Sequence, residues 1–240
     1  FDFPTHNAFI ESSPDRVVSE DGFVARFAPD GSLVYSTLLG GAQDDFAYGV
    51  AVGADHAPVV VGQTGSADFP VRSALQPRLG DGPPSGVGDA FVLRLAADGG
   101  SLLFGTYLGG SAHDLAEGVA LDERGRVLVV GETLSSDFPI RQPLQATLRG
   151  KSDAFIARLT ADGRTLDRAT YLGGTGSGAE PALDEAGLPG GGLVTLGSTW
   201  SADFPVRDPL QRTHAGQSDV FVTALSADMT IAIAAPSDIW

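Results

Sequence analysis

Short apolar runs recur along the whole chain, each bounded by Gly, Pro or Asp. In Asp89–Leu95, Phe91, Leu93 and Leu95 alternate with Val92 and Arg94, the two-residue period of a strand. The same kind of run opens at Asp21 (Asp21-Gly22-Phe23-Val24-Ala25-Arg26-Phe27), Asp153 and Asp219. An Asp-Gly pair follows at Asp30-Gly31, Asp98-Gly99 and Asp162-Gly163, a dipeptide that tolerates the positive φ of a tight hairpin. The next run should therefore fold back antiparallel. These returning strands are Leu33–Leu38, Leu102–Tyr107 and Leu166–Tyr171, each running into Leu-Gly-Gly. In the last copy the turn reads Asp228-Met229, so a different turn is expected there.

A second hairpin follows each exit: Tyr48–Val52 with Pro58–Gly62, then Glu117–Leu121 with Arg126–Gly131. These runs are short, small-residue and nearly all apolar, as for strands buried on both faces. The third copy, Gly178-Ala179-Glu180-Pro181-Ala182-Leu183, has a proline inside the run, which demotes that strand. The repeat is marked by Asp-Phe-Pro at Asp2, Asp68, Asp137 and Asp203, in steps of 66 residues (2 to 68), 69 (68 to 137) and 66 (137 to 203). A fixed long period means one supersecondary unit used again and again. The polar stretch after each mark, such as Val71–Val87, fits a loop crossing the outside.

Four antiparallel strands per unit point to all-β architecture and a β-propeller blade. The carrying residues are Asp89-Ala90-Phe91-Val92-Leu93-Arg94-Leu95, Asp98-Gly99, Thr106-Tyr107-Leu108-Gly109-Gly110, Gly118-Val119-Ala120-Leu121-Asp122, Val130-Gly131-Glu132-Thr133 and Ser136-Asp137-Phe138-Pro139. In these the chain resembles, over essentially its whole length, the bacterial seven-bladed β-propeller repeat family (SBBP repeats). The resemblance implies a propeller in an exported or cell-surface bacterial protein. It implies no catalytic residues, because the family pattern describes a blade.

If the inner strands come first in each blade, residues 1–46 hold an outer half blade with a leading loop. Blades then span 47–115, 116–177 and 178–240, the last with an irregular inner strand. That gives about three and a half blades, an open or incomplete propeller. Self-association through the open edges is one way to close it, since two such copies sum to seven. The chain begins at Phe1, inside a repeat and without Met, which reads as a piece of something longer.

Composition narrows the function. The 240 residues carry 32 Gly, 15 Pro and no Cys, which suits short strands and turns and excludes disulfides and thiol chemistry. A formal charge of −15 argues against nucleic acid and anionic membrane surfaces. No apolar run is long enough to insert into a bilayer as a helix.

Asp68, Asp137 and Asp203 could ring a cation or a sugar, but an Asp before Phe-Pro also fixes a turn through backbone N–H groups. Arg26, Arg94 and Arg158 share one repeat position, with Ala224 in the fourth, and are expected to lie against a neighbouring blade and pair with aspartates. Asp44-Asp45 and His113-Asp114 follow the Gly-Gly exits and could hold calcium, although the third repeat lacks the site as read in sequence. The four histidines fall at unrelated positions, and there is no Gly-x-Ser-x-Gly elbow. Trp200 replaces Gly65 and Leu134 and could stack on a sugar or plug a blade junction. Loops that differ between blades, Ser73–Gly88, Gly174–Gly178, Leu188–Gly192 and Asp208–Ser218, are where a specific site would sit. No catalytic, cofactor or metal residue is assigned.

The expected function is a non-enzymatic propeller segment of an exported bacterial protein, extracellular or on the cell surface, acting as a scaffold or as a binding surface for protein or glycan. The alternatives are a fragment of a glycan hydrolase or lyase, for which Glu132 and Glu180 are off-pattern acids without a recognisable partner, and a calcium-stabilised adhesin.

Overall fold

The structure is a computed structural model and describes residues 3–12, 19–80, 88–188 and 190–228. Among these there are thirteen strands and no helix. A two-stranded sheet pairs β1 (Gly22–Phe27) with β2 (Leu33–Leu39). The first four-stranded blade runs in order through β3 (Asp45–Val52), β4 (Pro58–Thr64), β5 (Asp89–Leu95) and β6 (Leu102–Leu108). The next repeats it with β7 (Asp114–Leu121), β8 (Val127–Thr133), β9 (Asp153–Leu159) and β10 (Leu166–Leu172). The last sheet holds β11 (Ala182–Gly187), β12 (Leu193–Thr199) and β13 (Asp219–Leu225). Every pairing is antiparallel between sequence neighbours.

The first strands of successive blades lie against one another, β3 on β7 and β7 on β11. A Cβ on Gly49 would come within 2.9 Å of the Glu117 carbonyl oxygen, so only glycine lets these backbones meet. The inner strands therefore do come first, and the fold is an incomplete propeller. Its core lies between blades: Val59, Val61 and Val92 of one sheet pack with Val127, Val129 and Phe155 of the next. The expected fourteenth strand, Asp2, Asp81–Val87 of the longest inserted loop, Pro189 and Trp240 fall outside the described residues.

Three expectations change. The first inner strand is not buried on both faces: Tyr48, Val50 and Val52 are exposed, because the preceding sheet, β1–β2, has no inner pair among the described residues to cover them. The segment after Asp-Phe-Pro crosses the outside as expected, but it is paired there rather than a plain loop. It bridges the outer edge of its own blade, Arg72 to Gly105 and Gln76 to Tyr107, then Arg141 to Ala169 and Gln145 to Tyr171. An edge strand is thereby covered along part of its length. The third inner strand survives Pro181 by starting after it, with six residues where β3 and β7 have eight.

The Asp-Gly hairpins form as expected. Ala28, Ala96 and Thr160 each donate their N–H across the turn, and Gly31, Gly99 and Gly163 sit at φ of +83°, +77° and +70°. Two of these glycines lie under an aromatic ring of the preceding blade. A Cβ on Gly99 would be 2.3 Å from Tyr35, and one on Gly163 would be 2.3 Å from Phe104. Gly31 has nothing within 4 Å. Gly31→Ala should cost only the left-handed strain, about 1–2 kcal/mol. Gly99→Ala should cost about 2–4 kcal/mol, because the displaced Tyr35 ring adds to that strain. Urea-unfolding midpoints of the two variants check this, and equal losses would refute the plug.

Candidate functional site

The repeated polar residues converge where the chain leaves one blade and enters the next. At the first such junction, Asp45 Oδ2 accepts the Gly41 N–H at 2.7 Å and the Ser66 hydroxyl at 2.7 Å. Ser66 Oγ also accepts the Gln43 N–H at 2.8 Å, and Asp68 Oδ1 accepts the Ala42 N–H at 2.9 Å. The Thr64 hydroxyl accepts the Ser66 N–H at 3.0 Å. One Thr-x-Ser-x-Asp segment thus satisfies three consecutive amides of the Gly-Gly exit, counting Asp45 as its partner.

The next junction copies this. Asp114 accepts from Gly110 N–H at 2.8 Å, from Ser135 at 2.8 Å and from Thr133; Ser135 takes Ala112 N–H at 2.9 Å; Asp137 takes Ser111 N–H at 2.8 Å. At the third, Glu180 stands in the place of Asp45 and Asp114. It accepts from Gly174 N–H at 2.8 Å and Thr199 at 2.8 Å, while Asp203 takes Thr175 N–H at 2.8 Å and Ser201 takes Gly176 N–H at 2.7 Å. Glu180 is therefore neither off-pattern nor partnerless, and the third repeat has replaced the acid rather than lost it. The longer side chain spans the altered loop. The turn aspartates do accept backbone N–H groups, but those of a segment 26 to 28 residues upstream rather than of their own turn.

A second acid completes each junction. Asp89 Oδ2 accepts from Gln76 Nε2 and Gly80 N–H, both at 2.8 Å, and Asp153 accepts from Gln145 at 2.6 Å and from the amides of Arg149 and Gly150. Asp219 repeats the bond with Gln211 at 2.8 Å. Gln76 and Gln145 also accept the N–H of Gly109 and Gly173 at 3.1 Å. Sequence reading passed over these glutamines. The signal was there: Leu75-Gln76, Leu144-Gln145 and Leu210-Gln211 keep one distance from Asp-Phe-Pro.

The arginines behave alike. Arg26, Arg94 and Arg158 each donate to a carbonyl in the next blade's outer turn, those of Ala97 (2.9 Å), Ala161 (3.4 Å) and Ala227 (2.6 Å). Arg94 also pairs with Asp55 at 2.9 Å and Arg158 with Asp167 at 2.8 Å. Trp200 is half-exposed, with its ring over Gly178, where a Cβ would meet it at 2.3 Å. Glu132 accepts from the Ser152 hydroxyl. Asp44 Oδ1 caps the Glu20 N–H at 3.0 Å, and burial lowers the pKa of His113. Among the described residues no three His, Asp or Glu side chains cluster to hold a metal.

The acids fall into two groups. Burial pushes Asp45 and Asp89 up to about 6 and Asp114 up to about 7, and it raises Asp153. Glu185, placed on β11 where β7 has Val119, is pushed up to about 8 by burial and then by Asp184. The more exposed Asp137 and Asp203 are lowered, first by the N–H bonds from Ser111 and Thr175.

No family model matches the chain, and no curated protein matches it either. Geometry alone defines the class: an all-β, incomplete propeller of antiparallel blades.

The raised acids set a pH dependence. Each has a folded pKa above its unfolded value, so the native state holds more protons between about pH 4 and 8, and stability falls as pH rises through that window. The melting temperature should be higher at pH 5 than at pH 8, and Asp114→Asn should make the slope shallower. A melting temperature that is flat or climbs over that range would refute the assignment.

Proposed function

We propose that the chain is a non-enzymatic propeller segment of an exported bacterial protein, at the cell surface or beyond it, serving as a scaffold and as a glycan- or protein-binding surface. The observation that carries this reading is the conserved use of the acids within the chain: blade after blade they collect backbone amides and hydroxyls, and where Asp becomes Glu the bonds persist. Groups engaged this way shape blades. The same engagement weighs against the calcium reading, since both oxygens of Asp114 and Oδ2 of Asp45 already accept from internal donors. It weighs against the hydrolase reading too, since Glu180 belongs to the lock. A screen of polysaccharides should show binding without turnover. Turnover abolished by Glu132→Gln or Glu180→Gln would overturn the proposal.

Both open ends support a role in assembly. Val220 and Val222 on β13 are 77% and 70% exposed, whereas Ala90 and Val92 at the same repeat positions are fully buried under the next blade. At the other end Phe23 is 57% exposed where Phe91 is buried. Self-association through these faces is part of the reading. Sedimentation should show concentration-dependent dimers that Val220→Lys/Val222→Lys suppresses, and a monomer at all concentrations would refute it.

A further inference from the structure

At two blade junctions an aromatic ring seals the outer turns: Tyr35 under Gly99, and Phe104 under Gly163. Tyr35 stands across from Arg26, and Phe104 across from Arg94. Across from Arg158, at the third junction, stands Arg168. In sequence, Asp228-Met229 stands where the earlier copies have Asp-Gly. Ring and glycine have been lost together. In the same place Arg124 replaces Asp55, Arg126 replaces Ala57 and Asp167 replaces Leu103. These departures converge on a cleft of about 330 Å³ lined by Arg124, Arg126, Arg158, Arg168, Asp167 and Gln142, with Asp228 also facing it.

Four of the 15 basic residues of a chain with a net charge of −15 thus meet at one spot. Two of them are fixed. Arg126 pairs with Asp122 at 2.6 Å and with Asp167 at 3.2 Å, and Arg158 pairs with Asp167 at 2.8 Å and donates to the Ala227 carbonyl. Arg124 and Arg168 have no ion pair among the described residues. Among the described residues, Asp122, Asp167 and Asp228 set three negative charges against these four positive ones. Burial and then the neighbouring Arg126 lower the pKa of Arg158, consistent with crowded cations.

The lining also restricts the ligand. Among the described residues it has no aromatic ring to stack a nucleobase, and Ala227, their one apolar side chain there, cannot anchor a peptide. Guanidinium groups fork onto a carboxylate, and the Gln142 amide offers a donor and an acceptor for hydroxyls. The volume lies at the small end of ligand sites, room for about one sugar. We propose that this cleft binds the carboxylate of an acidic sugar, a uronate unit of an anionic glycan. The proposal rests on the glycan-binding reading above and names its ligand class and place.

The test is titration calorimetry of the full chain at low salt with tri-galacturonate, neutral tri-galactose and inorganic sulfate. Tri-galacturonate should bind saturably and tri-galactose should not. Arg124→Ala/Arg168→Ala should weaken binding by roughly tenfold or more, the scale of losing hydrogen bonds to a charged group. Arg124→Ala alone, on an exposed turn, should weaken it without moving the melting temperature and decides the matter if the double variant misfolds. Absent binding, or equal affinity in the variants, would overturn the proposal. Binding of sulfate alone would overturn the sugar assignment. Neutral-glycan binding untouched by the variants would overturn this cleft and leave the broader glycan-binding reading standing.

Discussion

Where the chain passes from one blade to the next it must turn sharply, and the turn exposes consecutive backbone amides that neither sheet can pair. A buried amide without an acceptor costs about 1–3 kcal/mol. A carboxylate at the head of each inner strand, a hydroxyl two residues after the second strand's last threonine, and the aspartate before Phe-Pro supply the acceptors. The Phe of the same tripeptide drives inward. Phe69, Phe138 and Phe204 meet Phe91, Phe155 and Phe221 with ring centroids 4.6 Å apart in every blade. Tyr107 and Tyr171 then close the packing by donating their hydroxyls to the carbonyls of Ser66 and Ser135, at 2.7 and 2.8 Å. The Thr64–Pro70 segment and its copies thus tie the entry loop, the blade core and the outer strand together, which is why the segment recurs with so little change.

This dependence has an electrostatic consequence. The lock buries Asp45 and Asp114 where water cannot reach them, and burial there outweighs the hydrogen bonds they accept, so their protons are held more tightly than in the unfolded chain. Asp137 and Asp203, nearer to solvent, gain from the same kind of N–H bonds with a smaller burial penalty and go the other way. Depth alone separates two sets of identical side chains performing the same task. The chain carries 30 acids, and part of that number follows from this architecture.

Much of the fold was legible because the repeat is written in residues with special backbone or packing behaviour. Asp-Gly marked the hairpins, alternating Phe and Leu marked the strands, and Asp-Phe-Pro set the period. The rest turned on partners that a single sequence does not display. Glu180 looked isolated because its counterparts are aspartates at a shifted spacing, and only the structure puts it beside Gly174 and Thr199. Gln76 and Gln145 looked like loop polarity, although a fixed offset marked them, because their role requires an edge strand that the pattern did not pair with that segment. The exposure of Tyr48, Val50 and Val52 could not be read from their apolar character, since burial depends on which blade stands opposite.

The departures from the repeat carry the functional argument. A repeat holds its residues wherever blade geometry demands them, and scattered substitutions would reflect nothing more than tolerance. The changes at the third junction are not scattered. A buried aromatic ring of the kind seen at Tyr35 and Phe104 contributes about 3–5 kcal/mol when its removal leaves a void. Exchanging such a ring for Arg168, while Arg124 and Arg126 enter from the adjoining hairpin, replaces apolar packing with like charges lining one cleft. Asp122 and Asp167 offset part of that repulsion, enough to fix two guanidinium groups in place and too little to neutralise the cluster. A junction that gives up packing and accumulates charge is poorly suited to holding blades together, and well suited to meeting an anion from outside.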